Sequence, residues 1–155
     1  MKKYLFCLIL TFVIGQAAYA QGVEQLMAKF SKVDNVENVK IGGFLMSCAK
    51  IMGGGNDAPI AKGIQSMAVY DLGSCSASIK NDYAQQISKL KDGGGYETLI
   101  QVKDGNEGVR IMIKKEKDLI REIVILCQDN DPAIVHLKGK IKESDIAELV
   151  NKYNK

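Results

Sequence analysis

The sequence has no tryptophan, and aromatic residues make up only 6% of it. A sugar-stacking platform needs large aromatic faces, so none is indicated. Histidine occurs once, at His136, and no Cys-x-x-Cys or Cys/His cluster accompanies it. Zinc and thioredoxin-like readings therefore fail on spacing. No apolar run reaches the roughly 20 residues that cross a bilayer as a helix. Internal repeats, low-complexity tracts and long linkers are missing, so nothing divides the chain into several domains.

What is there is ordinary for a globular domain. Hydrophobic residues make up 46% and charged residues 25% of 155 positions, which excludes wholesale disorder and a polytopic membrane protein. The formal charge is +3. Two of those charges, Lys2 and Lys3, stand before an apolar run from Tyr4 to Ile14, broken only by Thr11. Gly15-Gln16 ends the run and Ala18-Tyr19-Ala20 follows. A basic start, a short apolar stretch and small residues before the cut are the marks of a secretory signal peptide. The expectation is a leader over residues 1–20, cleavage after Ala20, and a periplasmic or envelope location. Cys7 sits inside the run behind Leu5 and Phe6, where a lipobox is not formed, so a lipoprotein is not expected. Without the leader the charge falls to +1, and nucleic acid is not an expected partner.

Residues 21–155 read as one α+β domain. Val23, Leu26, Met27 and Phe30 recur at helical spacing, and so do Phe44, Cys48, Ile51 and Met52. A third helix is expected from Ser76 to Lys91, with Ile79, Tyr83, Ile87 and Leu90 inward and Gly93-Gly94-Gly95 as its stop. Strands are expected at Val36–Ile41, Ile64–Tyr70, Thr98–Val102, Val109–Ile113, Ile120–Cys127 and Ala133–Leu137. Asp104-Gly105-Asn106, Lys117-Asp118 and Asp129-Asn130-Asp131-Pro132 supply turns between the last four. Such short connections join antiparallel neighbours. The expected fold is an antiparallel or mixed sheet ending in a four-stranded meander, with helices packed on one face. A closing helix carries Ile146, Leu149, Val150 and Tyr153. No mature-chain helix is expected to span a membrane.

The leader, the amphipathic first helix, Gly95-Tyr96-Glu97-Thr98-Leu99, the Val109 to Ile113 strand, Ile120 to Leu126, and Gly139 with Ile141 form a recognisable order. The chain resembles an exported Bacteroidota family, domain of unknown function 4252. The likeness implies an envelope location and an α+β fold. It transfers no catalytic residue.

Individual motifs each have a plain structural explanation. Ser47-Cys48-Ala49-Lys50 matches the Ser-x-x-Lys pair of penicillin-recognising enzymes, but Ser88-Lys89-Leu90-Lys91 matches too. The companion Ser-Asp-Asn and Lys-Thr-Gly motifs are absent. Cys48, Cys75 and Cys127 remain after cleavage. They are either buried thiols, or Cys48 and Cys75 form one disulfide with Cys127 left over. His136 alternates with Val135 and Leu137 and reads as a solvent-facing strand residue; a Cys-His pair would need a closeness that spacing does not set. Gly53-Gly54-Gly55-Asn56-Asp57 follows a helix and lacks the Lys-Ser/Thr of a phosphate loop. Asp129-Asn130-Asp131 lacks the rest of a calcium loop and reads as a turn. Lys114, Lys115, Lys117, Lys138, Lys140 and Lys142 read as charges that keep edge strands soluble.

No catalytic, cofactor-binding or metal-ligating set is assigned. The leading expectation is a non-enzymatic module that binds an envelope protein. One alternative is a carrier of an apolar ligand or lipid lined by Met27, Met46, Met52, Met67 and Met112. The other is a hydrolase centred on Ser47 or Cys48.

Overall fold

The structure is a computed structural model, described here for residues 22–41 and 62–147. The leader, the stripe from Phe44 to Met52, Ser47, Cys48, Lys50 and Gly53-Gly54-Gly55 lie outside those residues, as do Leu149, Val150 and Tyr153.

Helix α1 spans Val23–Phe30 and buries Val23, Leu26, Met27 and Phe30, the four positions that its periodicity marks. Glu24 in its first turn and Lys29 in its last complement the helix dipole. Strands β1 (Glu37–Ile41) and β2 (Ile64–Asp71) come next. Helix α2 spans Ala77–Lys89; the Ser76 hydroxyl caps it by accepting from Ile79 N at 3.4 Å. It buries Tyr83 and Ile87. The meander is β3 (Tyr96–Asp104), β4 (Glu107–Glu116), β5 (Leu119–Gln128) and β6 (Ala133–Lys142). Residues 143–147 are helical.

The six strands form one sheet in the order β1-β2-β6-β5-β4-β3, and every pairing is antiparallel. The meander therefore holds, and among the described residues the sheet is antiparallel, not mixed. The long connection lies between β2 and β6, which pair Ala68 with His136 and Val69 with Val135. Strands β5 and β6 occupy the middle, as the apolar run Ile123-Val124-Ile125-Leu126 requires.

Two apolar clusters lie on opposite faces, because consecutive residues of one strand point opposite ways. Met112 and Val124 join the first, with the α1 residues, Tyr83, Ile87, Leu126 and Ile134. Their neighbours Ile113 and Ile123 join the second, with Ile120 and Ile141. Ile146, from the helical residues 143–147, packs against that second cluster. In the first, the rings of Phe30 and Tyr83 meet edge-on, 5.2 Å between centroids, and the Tyr83 hydroxyl donates to Ala133 O at 3.1 Å. This contact ties α1 to α2, and α2 to the start of β6. Lys29 and Asp82 add a 2.5 Å ion pair between the helices, exposed enough to be worth under about 1 kcal/mol.

Candidate functional site

Three features stand out at the ends and edges of this frame. The first is apolar. Strand β3 is an edge of the sheet, and its residues Leu99, Ile100 and Val102 are 43%, 40% and 60% exposed. Val109 on β4, directly opposite Val102, is 38% exposed. Ile100 faces Ile111, which in turn faces Ile125 on β5. Alternation puts Ile100, Val102, Val109 and Ile111 together on the sheet face turned away from Arg110 and Met112. The register shifts between Thr98 and Ile100, so Leu99 is the extra residue of a bulge.

The second feature is polar and lies on the α1 side of the sheet. Oε2 of Glu122 accepts from the Tyr96 hydroxyl and lies 2.7 Å from Nε2 of His136. An ionised carboxylate only accepts, so the ring nitrogen carries the proton. Burial pushes the Glu122 carboxyl up, but the Tyr96 and His136 hydrogen bonds outweigh it and hold its pKa below the usual range. Burial first, and then Glu122, push the Tyr96 phenol well up. Lys114 stands 5.2 Å over the Tyr96 ring and 3.3 Å from Glu24 of α1. The expectation of a solvent-facing His136 is thereby corrected. Its strand neighbour two residues back, Ile134, is a core residue, and His136 shares that covered face.

The third is Arg110, the one buried charged residue among those described. Its guanidinium donates to Leu90 O at 2.7 Å, to Thr98 Oγ1 at 2.8 and 3.1 Å, and to Asp92 Oδ1 at 3.3 Å. Hydrogen bonds from Thr98, and then Arg110, hold Asp92 below the usual carboxylate range. The cluster fastens the segment after α2 to the sheet.

The remaining sequence candidates take structural places. Helix α2 ends at Lys89, so Ser88 and Lys91 are not on successive turns of a helix; the Ser88 hydroxyl donates to Gln85 O at 2.7 Å. Cys75 and Cys127 are free thiols, buried and half-buried, and burial raises both pKa values. Cys127 is odd in the β5 alternation and so faces away from Leu126, on the face opposite His136. No Cys-His pair is formed among the described residues. Asp129 closes its turn by accepting from Asp131 N at 2.7 Å. The described residues contain no group of three or more His, Cys, Asp or Glu that would hold a metal ion. Met27 and Met112 are buried in the core, and Met67 is half-buried on β2.

The lysines correct another expectation. Strands β4 and β6 are interior, not edges. Lys115 bridges Glu97 and Glu143 at 3.0 Å each, and these partners raise its pKa. The local sequence signals alternation but not which strands end up outermost. The joint role of Tyr96 and Glu122, and that of Arg110, is not readable locally, because their partners are distant in the chain.

Fold and site define an α+β domain with a six-stranded antiparallel sheet, closed internal polar clusters and an exposed apolar strand edge. The chain belongs to the family of the domain of unknown function (DUF4252), whose model matches residues 30–149. No curated protein and no solved structure matches it. No helix among the described residues is long and apolar enough to cross a membrane.

Proposed function

We propose that the chain is exported through the leader at residues 1–20 and serves in the periplasm or envelope as a non-enzymatic protein-binding module. The observation that supports binding is the apolar surface formed by Leu99, Ile100, Val102 and Val109 at the β3 edge. Exposed strand edges with apolar side chains invite pairing with another chain. A partner strand added to β3 would satisfy the edge backbone and cover these residues. The polar clusters favour this over catalysis, since each is closed on itself through Glu122 or Arg110.

The test uses protein made in its own envelope. Its mass is expected to begin at Gln21; a mass retaining residues 1–20 removes the cleavage reading. Affinity capture with the parent chain is compared with an Ile100→Lys, Val102→Lys variant. A stoichiometric partner retained by the parent and lost by the variant supports the reading. Equal retention, or no partner, overturns it.

A further inference from the structure

A cleft of about 260 Å³ opens between the first half of α2, the β3–β4 turn and the end of β5. Its walls include Asn81, Asn106 and Gln128, one side-chain amide from each of these elements. None of the three amides has a side-chain hydrogen bond among the described residues. The two charged groups at its rim each hold a backbone group. Lys80 Nζ donates to Asn130 O at 2.9 Å, and Asp129 closes its own turn. Tyr83 is buried and its hydroxyl is committed to Ala133 O.

We propose that this cleft binds a short, uncharged peptide segment through its main chain. Each side-chain amide offers donors and an acceptor, which match the N–H and C=O of a peptide unit. The two ionic groups of the lining, Lys80 and Asp129, are of opposite sign, so the cleft has no net charge to demand a charged ligand. No aromatic face lies open to stack on a sugar ring, since the only aromatic in the lining is the buried Tyr83. The cleft is separate from the apolar β3–β4 surface: Gln128 shares the sheet face of Leu126, whereas Ile100 lies on the opposite face.

The test is NMR titration of the ¹⁵N-labelled chain with N-acetyl-trialanine amide. Saturable shifts are expected in the side-chain amides of Asn81, Asn106 and Gln128. Asn81 and Asn106 are exposed, so Asn81→Ala with Asn106→Ala is expected to leave the melting temperature unchanged and to weaken binding about tenfold. Gln128→Ala provides a second, independent variant with the same expected direction. Ile100→Lys is expected to leave peptide binding intact, which separates this proposal from the partner-docking reading. Absence of saturable shifts, shifts mapping elsewhere, undiminished binding in both variants, or binding of diacetylchitobiose in place of the peptide would each overturn it.

Discussion

Nε2 of His136 lies 2.7 Å from Oε2 of Glu122, between the two central strands of the sheet. The two residues are not direct cross-strand partners: Glu122 is opposite Lys138, and His136 is opposite Val124. The contact is diagonal, on one face, and Tyr96 reaches the same oxygen from the edge strand. Thus β3, β5 and β6 are linked by one carboxylate, which satisfies groups that would otherwise be buried without partners.

That carboxylate makes stability depend on acid. The Glu122 pKa is below its reference of 4.5 in the folded chain, so it contributes stability above that value. The contribution is lost as pH falls through the lower, folded value. Glu122→Gln is expected to cost about 1–2 kcal/mol at pH 7 and little in strong acid. Urea unfolding of both proteins from pH 7 to pH 3 checks this; a difference that does not shrink with acid would sink it.

Arg110 offers a contrast between neutral and charged partners. Removing it in Arg110→Ala leaves the buried Leu90 carbonyl and Thr98 hydroxyl without their donor, an expected cost of about 2–4 kcal/mol. Asp92 is 51% exposed, so Asp92→Asn is expected to cost less than about 1 kcal/mol. Denaturant midpoints at constant slope measure both. Equal losses would mean that the ion pair, not the neutral acceptors, carries the cluster.

Local pattern made some of this legible. The spacing of Val23, Leu26, Met27 and Phe30 located α1 and its buried face. The strand expected at Val109–Ile113 lies within β4, and turn residues located the meander. The pairing of β2 with β6 was not legible, because Ala68 and His136 meet across a long stretch of chain. That pairing makes β6 interior and takes Lys138 off the edge, while the β5–β6 register sets His136 beside Glu122. Alternation likewise could not say that the face carrying Arg110 would be the one covered by α2. The amides of Asn81, Asn106 and Gln128 had no sequence signal, since isolated polar residues at element ends are commonplace.

Two of the three hairpins of the meander make a matched pair. Each has a two-residue connection whose first position has positive φ: Gly105 at 59° and Lys117 at 56°. Glycine takes this conformation without penalty, while an L side chain costs about 1–2 kcal/mol. Lys117→Gly is therefore expected to raise stability by about 0.5 kcal/mol, after the entropy that glycine adds to the unfolded chain. Gly105→Lys is expected to lower it by about 1 kcal/mol. Thermal unfolding of the two variants should show opposite signs.

Gly139 tests the close approach that seats β6 against the start of β2. A Cβ there would collide with the carbonyl of Gly63, a backbone atom that cannot swing aside. Nor can β6 withdraw easily, since it is hydrogen-bonded to β2 on one side and β5 on the other. The register beside it already shifts between Ile64 and Ser66. Gly139→Ala is expected to cost about 2 kcal/mol or more through overpacking. Gly22→Ala is the control, because nothing lies within 4 Å of the added carbon. Denaturant unfolding of the two variants, with hydrogen exchange read at Met67 and Ala68, separates a local loss of β2–β6 pairing from a general one. If both variants unfold at the parent midpoint, the strands are not held together as tightly as the Gly63–Gly139 contact requires.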